Sequence, residues 1–421
     1  MKHHVAVAVL GARLHYAAAR ALNDANALEQ LYTDICAVRG WPSLLRSIWP
    51  ASLMPSGLKA LTQRVPEGIS RSRVTTFDSF GLEYARRRRR ARTASETTET
   101  YLWGGRTFAG LVADAGLGDA NAVYAFNTAA LELLVTARQR GVYSVLEQTI
   151  APAACEDALL REEAERFPGW APEGFENPDV EQLASRECAE WHASDHILCG
   201  SAFVRDALTG LGVPSIKITV VPYGLDVRPG IPQTPGPIAG SALRVLYVGA
   251  VGLRKGIGDL ANAMGDIPEN TASARAVGSI LVTERARERI GRSVSLAGAA
   301  ARSAMPLEYA RSDVFVLPSI CEGSALACYE AMAAGLPVIT TPNAGSIVRD
   351  GIDGYIVPIR SPERIREHIC ELAMDDKKWR EMSCNARRHV ADHSLKTYGK
   401  RILSALDQHQ DAQPESQVCN D

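Results

Sequence analysis

The chain has 421 residues, of which 46% are hydrophobic and 22% charged, and its formal net charge is −2. The length predicts two domains of an ordinary globular protein, the balanced charge gives no reason to expect a nucleic-acid partner, and no run of about 18 apolar residues predicts a membrane-spanning helix. The nine cysteines are odd in number and lack C-x-x-C pairs, which predicts free thiols in a reducing compartment rather than disulfides or a zinc site.

Residues 3–10 form a short, Val-rich run near the start of the chain. We interpret it as the first buried strand of a parallel sheet rather than as a signal peptide, because no convincing cleavage segment follows. Gly11 comes directly after this strand. Residues 124–127 and 143–148 predict two further strands whose ends face a cleft.

Residues 86–92 read Arg-Arg-Arg-Arg-Arg-Ala-Arg and are the strongest charge run of the chain. Such a run usually forms a solvated basic surface. The functional alternative is contact with an anionic acceptor or with the anionic face of a membrane, where each basic residue contributes on the order of 1 kcal/mol.

Residues 229–240 contain four prolines and three glycines and can continue neither a helix nor a central strand. We expect this segment to link two domains. Strand and helix signals alternate on both sides of it, which predicts an α/β fold of two doubly wound, Rossmann-like domains that face a central cleft. We assign residues 1–228 to the first domain, 241–395 to the second, and 396–408 to a C-terminal helix.

Residues 249–256, Gly-Ala-Val-Gly-Leu-Arg-Lys-Gly, follow the first strand of the second domain and precede a helix that begins near Ile257. Glycines let the backbone turn sharply and approach a ligand. The cations Arg254 and Lys255 oppose the dipole of the helix that follows unless an anion is present. The loop lacks the Gly-Lys-Ser/Thr ending of a Walker A loop, so we predict a phosphate site of another kind.

Residues 313–341 predict a β-α-β unit, because two short apolar runs flank a segment of good helix formers that ends at Gly335. The amino end of this helix carries unpaired N–H groups and the positive end of the helix dipole, so an anion is expected there. Glu322 lies in the loop before the helix and Glu330 lies about two turns on. We therefore assign both carboxylates to sugar hydroxyls beside the anion.

The segment 318–345, with Glu322 and Glu330 in an E-x7-E pattern, resembles the retaining nucleotide-sugar glycosyltransferases of family 4, which have the GT-B architecture. Residues 350–358 and the run Val-Pro-Tyr-Gly-Leu-Asp at 221–226 extend the resemblance. It implies transfer of a sugar from a UDP- or GDP-sugar to a polysaccharide, glycolipid or small-molecule acceptor, with retention of configuration. It also implies that the first domain binds the acceptor, that the second binds the nucleotide sugar, and that the C-terminal helix packs back onto the first domain.

The resemblance also assigns roles to individual residues. Donor binding falls to Gly249, Glu322, Gly323, Ser324, Ala325, Leu326 and Glu330. Catalysis falls to Glu322, Lys255 and Arg254, and the acceptor side to Gly11, Glu147 and Gln148. In this assignment residues 323–325 offer backbone N–H groups, Glu322 binds the sugar and Glu330 binds the ribose. The chain departs from the family at Ala250, where arginine is frequent, and at residues 147–148, where a histidine is frequent.

No Asp-x-Asp tripeptide occurs in the sequence, so we predict neither a metal nor another cofactor, the nucleotide sugar being a substrate. Lys255, Arg254 and helix N-termini would neutralise the departing diphosphate. The expected location is the cytoplasm, with peripheral contact at the inner face of a membrane. Two alternatives stay open, a GT-B sugar-nucleotide epimerase and a catalytically silent nucleotide-sugar-binding subunit.

Overall fold

The structure is a computed structural model that describes residues 3–49, 54, 58, 61–226 and 232–410, without the side chains of residues 408–410. Within these ranges the chain forms two parallel sheets, each built from strands that alternate with helices. The eight cysteines in the described ranges are free, as the sequence predicted.

The first sheet has the strand order β3-β2-β1-β4-β5-β6-β7, with all neighbours parallel. Alternate side chains of β1 join different core clusters, Val5 and Val7 in one and Ala6 and Ala8 in the other. Because both faces of the strand are buried, its sequence is apolar without alternation. The strands are β1 (Val5–Val9), β2 (Leu28–Thr33), β3 (Val74–Thr76), β4 (Ala122–Phe126), β5 (Tyr143–Gln148), β6 (His196–Cys199) and β7 (Ile218–Val220).

Eight helices connect these strands within the described residues. They are α1 (Ala17–Asp24), α2 (Gly40–Ile48), α3 (Asp78–Arg90), α4 (Ala94–Ala115), α5 (Leu131–Gln139), α6 (Ala153–Arg166), α7 (Val180–Ala193) and α8 (Ala202–Gly210). The long helix α4 begins at a capping box, in which the Thr93 side chain accepts from the Glu96 amide and Glu96 accepts from the Thr93 amide.

The second sheet has the order β10-β9-β8-β11-β12-β13, again parallel throughout. Its strands are β8 (Leu243–Val248), β9 (Ala272–Val277), β10 (Val294–Gly298), β11 (Val314–Leu317), β12 (Val338–Thr340) and β13 (Gly354–Ile356). Its helices are α9 (Ile257–Gly265), α10 (Glu284–Ile290), α11 (Met305–Ala310), α12 (Leu326–Ala333), α13 (Pro362–Met374) and α14 (Asp376–Ala391).

Two parts of the chain connect the domains: the segment between them and the C-terminal helix. Residues 227–231 of the predicted linker region lie outside the described residues, and residues 232–242 contain no helix or strand. The final helix, α15 (Leu395–Gln410), crosses to the first domain, where Gly399 lies against the backbone of Ala21: a Cβ at Gly399 would be 2.8 Å from the Ala21 carbonyl oxygen. The polar end of the chain from residue 411 lies outside the described residues.

Helix α6 and the turn after it lie against the second domain. Arg166 pairs with Asp259 at 2.9 Å, and Arg360 pairs with Glu163 at 2.6 Å. The Phe167 ring fills the space beside Gly258, where a Cβ would lie 2.4 Å from Phe167 Cζ. We call residues 153–170 the interdomain clamp, because it belongs to the first domain by sequence and packs on the second.

Each sheet has a point at which the strand order reverses, between β1 and β4 in the first and between β8 and β11 in the second. Doubly wound sheets bind ligands outside the carboxyl ends of the strands at such points. The predicted fold class of two doubly wound α/β domains is confirmed, and the loops after β8 and β11 flank the reversal point of the second sheet.

Candidate functional site

The loop after β8 and the loop after β11 form one unit at the reversal point. The Arg254 carbonyl oxygen accepts hydrogen bonds from the amides of Ile320, at 2.9 Å, and Cys321, at 3.3 Å. Gly256 has a φ of 69° and lies so close to the second loop that a Cβ would be 1.9 Å from the Pro318 carbonyl oxygen. Only glycine fits this position, since it combines a left-handed conformation with close backbone contact.

Gly249 gives Lys255 its place in the loop. Its φ is 147°, and a Cβ at this residue would lie 2.6 Å from Lys255 Cδ. The lysine chain therefore runs across the bare backbone of Gly249. A side chain at residue 249 would displace the ammonium group, so this glycine positions a cation.

Three of the predicted site residues meet in one ionic cluster. Lys255 Nζ lies 2.6 Å and Arg254 NH1 lies 3.0 Å from the same oxygen of Glu322, Oε1. The Lys255 and Glu322 side chains are only 15% and 13% exposed. Glu322 Oε1 is buried without an aligned hydrogen bond, so the two cations are held by charge attraction rather than by a directed bond.

Glu156 brings a second carboxylate to this cluster from the first domain. Its Oε1 lies 3.7 Å from Arg254 Nε. Burial raises the pKa of Glu156, and the attraction of Arg254 acts against that rise. Sequence reasoning missed Glu156, because a glutamate in the first turn of a helix is ordinary and nothing in its neighbourhood points to a partner almost one hundred residues later.

The segment 323–326 is braced by the first domain and by the loop after β12. A Cβ at Gly323 would lie 1.7 Å from the Thr149 carbonyl oxygen, and the Ser201 hydroxyl donates to the Gly323 carbonyl at 2.5 Å. Ser324 is buried, with its hydroxyl 3.1 Å from that of Tyr329. Leu326 is the first residue of α12, whose amino end has no side-chain cap.

The expectation that Ala325 offers its amide to a ligand is wrong. Its N–H donates to the Ala344 carbonyl at 3.0 Å, so the group is already satisfied by the neighbouring loop. The sequence did not reveal this bond because its acceptor lies in the connection after the next strand. The remaining candidate donors at this end are the amides of Gly323, Ser324 and Leu326, for which no described residue is an acceptor.

Glu330 lies in the second turn of α12, about two turns beyond Glu322 as predicted, and it is oriented by Tyr309 of α11. The Tyr309 hydroxyl donates to Glu330 Oε2 at 2.8 Å. Burial raises the pKa of Glu330, while the hydrogen bond from Tyr309 and the positive charge of Arg302 lower it. Tyr309 thus fixes the carboxyl group that the sequence singled out, and sequence reasoning did not identify it.

On the first domain, the loop after β1 joins the ends of β4 and β5. The Gly11 amide donates to Asp34 at 3.1 Å, and Arg13 NH1 donates to Asn127 Oδ1 at 3.2 Å and to Thr149 Oγ1 at 2.9 Å. Gly11 therefore lies at the expected edge of the sheet. Arg13 and Thr149 were not predicted, although each follows a strand at its carboxyl end, which is the signal that could have found them. Asn127 closes the predicted strand 124–127, whose end was expected to face the cleft.

The prediction that Glu147 and Gln148 face the cleft is wrong. Both side chains are at most 1% exposed. Gln148 accepts from Trp191 Nε1 at 3.0 Å and donates to Glu187 at 2.9 Å, and Glu147 Oε2 accepts from the Tyr124 hydroxyl at 2.5 Å. The physical reason is that both residues are still inside β5, where side chains point to the covered faces of the sheet rather than out of its edge.

The buried carboxyl group of Glu147 is expected to make the free energy of unfolding depend measurably on pH. Burial raises its pKa, and hydrogen bonds from Tyr124 and other tyrosines act against that rise. The folded protein then keeps a proton that the unfolded chain releases. The protonated Glu147 therefore makes its full contribution to stability below the ordinary pKa of a glutamate, and this contribution is lost as the pH rises through the raised pKa of the folded protein. We expect Glu147→Gln to remove a slope of at most about 1.4 kcal/mol per pH unit.

Urea unfolding of the wild type and of Glu147→Gln between roughly pH 5 and 8 measures this slope. The exposed substitution Glu284→Gln in α10, whose side chain is 71% exposed, is the control. Equal slopes for wild type and Glu147→Gln would show that Glu147 does not hold a proton in the folded state.

No three His, Cys, Asp or Glu side chains within the described ranges are grouped as metal ligands. None of the helices described is both long and apolar enough to cross a membrane.

Comparison with known proteins finds a family match within the second domain and relatives that match part of the chain. Residues 242–375 match the family of glycosyl transferases group 1. The chain is 30% identical to the glycogen synthase of Mycobacterium tuberculosis over 200 residues. These residues are 46% of this chain and 47% of that protein. It is 33% identical over 93 residues to the UDP-Gal:alpha-D-GlcNAc-diphosphoundecaprenol alpha-1,3-galactosyltransferase of Escherichia coli, 22% of this chain and 24% of that one.

The chain spans less than half of the length of the curated relatives it matches. Solved structures match a larger share of this chain. HepE of Anabaena in complex with UDP has a TM-score of 0.59 at 15% identity and covers 96% of this chain and 100% of its own. An identity this low establishes the fold alone. Residues 242–375 thus match the group 1 glycosyl transferases in sequence, and the chain as a whole has the GT-B fold.

Proposed function

We propose that this protein is a retaining glycosyltransferase, which moves a sugar from a nucleotide-sugar donor to a carbohydrate or lipid-linked acceptor without a metal ion. The observation that carries the proposal is the pairing of Lys255 and Arg254 with Glu322 at the reversal point of the second sheet. Two cations beside an uncapped helix N-terminus are the charge arrangement that a diphosphate requires.

In this proposal, binding of the donor replaces the ion pairs of Glu322 with contacts to the donor. The diphosphate takes Lys255 and Arg254, which releases Glu322 to the hydroxyls of the donor sugar. Glu330, oriented by Tyr309, accepts from the ribose hydroxyls. HepE was solved with UDP, and the name of the Escherichia coli relative specifies UDP-Gal, so UDP is the nucleotide to test first and GDP the second.

The chemistry needs no protein nucleophile. The bond between the anomeric carbon and the phosphate oxygen breaks, and its electron pair stays on the diphosphate. The acceptor hydroxyl attacks the anomeric carbon from the same face and gives its proton to the departing phosphate oxygen. Because the new bond forms on the face from which the phosphate leaves, the configuration is retained. Lys255 and Arg254 stabilise the charge that grows on the diphosphate, and the protein holds the acceptor hydroxyl on the same face of the sugar as the departing phosphate.

The first domain supplies the acceptor side in this proposal. Gly11 and Arg13 lie at the carboxyl edge of the first sheet, and Thr149, which Arg13 contacts, lies against the Gly323 turn. The name of the Escherichia coli relative includes an acceptor carried on diphosphoundecaprenol, which supports a lipid-linked acceptor. The arginine run at residues 86–92 supports peripheral contact with a membrane.

A thermal-shift screen of UDP, GDP and their sugars, followed by an assay of nucleoside diphosphate release, tests the proposed function. Release that depends on an added acceptor, with an α-linked product from an α-linked donor, supports the transferase. Isomerisation of the donor without acceptor would establish the epimerase instead. Tight binding without turnover would establish a silent binding subunit.

We expect Glu322→Gln to lower acceptor-dependent turnover about tenfold, because a charged acceptor of sugar hydrogen bonds is lost. UDP affinity should stay equal or rise, since Lys255 and Arg254 lose the carboxylate that competes with the diphosphate. Calorimetry and steady-state rates with the donor from the screen measure both effects. Glu308→Gln, which removes a carboxylate paired with Arg275 on the same domain, is the control, and a wild-type rate for Glu322→Gln would reject the sugar-binding role.

A further inference from the structure

Helix α2 presents apolar side chains to solvent. Leu44 is 64% exposed and Ile48 is 79% exposed, and Trp49, directly after the helix, is 40% exposed. Leu44 and Ile48 are four residues apart and so lie on one face of the helix. A single exposed apolar residue is ordinary, but three within six residues form an apolar patch that has no partner among the described residues.

Helix α3 carries the arginine run at its C-terminal end. Arg86 and Arg87 pair with Glu83 at 2.8 and 3.0 Å. Arg89 and Arg90 are exposed and form no ion pair with any part of the chain that the structure describes. One or two cations satisfy the dipole at a helix C-terminus, so the arginines beyond these leave an excess of positive charge at the surface.

Two arginines of the run, Arg87 and Arg88, are held in place by aromatic rings. The Arg87 guanidinium lies 4.0 Å from the centre of the Trp103 ring, and that of Arg88 lies 5.8 Å from the Tyr84 ring. Tyr84 is 8% exposed and belongs to the core cluster between α3 and α4. The positive surface is therefore presented by a rigid pair of helices rather than by a loose segment.

The apolar and the basic helix start at a common point. Helix α2 follows β2 and α3 follows β3, so both begin at the carboxyl edge of the first sheet. Their first turns touch, since a Cβ at Gly40 would lie 1.9 Å from Asp78 Oδ2. This is also the edge at which Gly11 and Arg13 lie.

We propose that α2 and α3 form a docking surface for an anionic lipid bilayer. We define this α2–α3 surface by Leu44, Ile48, Trp49, Arg89, Arg90 and Leu82 of α3, which is 47% exposed. Apolar side chains on one helix and arginines on a helix that touches it match the boundary between acyl chains and anionic headgroups. A nucleic acid or an acidic polysaccharide would use the arginines and leave the apolar patch in water, so the combination favours the bilayer.

The geometry gives docking a use in the proposed transferase, and this step alone rests on that function. A bilayer against α2 and α3 would contact helices that begin at the carboxyl edge of the first sheet, which faces the cleft. An acceptor anchored in that bilayer could reach the cleft without leaving the membrane. Docking itself depends only on the surface and holds for any activity of the site.

Co-sedimentation of the full chain with vesicles tests the proposal. We expect partition onto vesicles of about three parts phosphatidylcholine to one part phosphatidylglycerol, and little onto phosphatidylcholine alone. Ile48→Glu should lower partition about tenfold or more. Arg89→Gln with Arg90→Gln should lower it roughly 25-fold, at about fivefold for each arginine.

Matched variants control for surface changes of the same size. Ile216→Glu replaces a residue that is also 79% exposed but precedes β7, at the opposite edge of the sheet. Arg285→Gln with Arg292→Gln replaces two exposed arginines of the second domain. Wild-type partition and wild-type melting temperatures for these controls are expected, and melting temperatures also confirm that the α2 and α3 variants are folded.

Three outcomes would overturn the proposal. One is equal partition onto neutral and anionic vesicles. Another is an equal loss of partition in the matched controls. The third is full partition of folded Ile48→Glu, which would show that the apolar patch does not contact the bilayer. Each is measured without a sugar donor, so failure of docking is distinguishable from failure of the proposed function.

Discussion

Replacing Lys255 by alanine is expected to weaken the binding of UDP by about 1.5–3 kcal/mol, or roughly 10- to 150-fold, the range for a hydrogen bond to a charged group. Lys255 lies across Gly249, and its ammonium group is 2.6 Å from Glu322. In the proposed complex this group moves from the carboxylate to the diphosphate. Isothermal titration calorimetry measures the loss directly.

The control for Lys255→Ala is Arg287→Ala. Arg287 is a cation of the same domain whose side chain is 51% exposed and pairs with Glu284, so its removal should leave UDP affinity unchanged. If Lys255→Ala binds UDP as tightly as the wild type, Lys255 does not contact the diphosphate. The proposed role of the loop after β8 would then be wrong.

Replacing Phe167 by alanine is expected to lower the free energy of unfolding by about 3–5 kcal/mol, the cost of a large-to-small change in a packed core. Phe167 is 7% exposed, its ring centre is 4.7 Å from that of Trp170, and it fills the space beside Gly258 of the second domain. The cavity would open between the domains. Urea unfolding measures the loss, and small-angle scattering should show a larger radius of gyration.

The control for Phe167→Ala is Leu211→Ala. Leu211 is 48% exposed, so its truncation should change stability by no more than about 0.5 kcal/mol. Equal stability of Phe167→Ala and the wild type would contradict the clamp. A loss of stability at an unchanged radius of gyration would place the role of Phe167 within one domain rather than between the two.

The sequence was sufficient for the fold and for the ionic cluster because both follow from local patterns. Strands of a parallel sheet are buried on both faces, so β1 and β11 are continuous apolar runs that can be recognised alone. Loops after strands that flank a reversal point must meet at one edge. Arg254, Lys255 and Glu322 are therefore brought together by topology, without knowledge of any side-chain contact.

The rest of the site depended on details that patterns do not contain. Glu147 and Gln148 were placed at the cleft because they end a strand, but a shift of one or two residues along a strand decides whether a side chain leaves the sheet or points into a covered face. The amide of Ala325 is occupied by a carbonyl nineteen residues later. Glu156 and Tyr309 act through partners on other elements, and no local signal marks such pairs.

The interdomain clamp limits how this chain can be recombined with its relatives. Domains that meet through small polar interfaces can be exchanged at the linker between them. Here Phe167 and Glu163 pack on Gly258 and Arg360, so part of the second domain's surface is completed by residues that precede the linker by about 60 to 65 positions. A chimaera that joins this second domain to the first domain of another enzyme must therefore also keep residues 153–170, or leave an apolar hollow and the buried Asp259 without their counterparts.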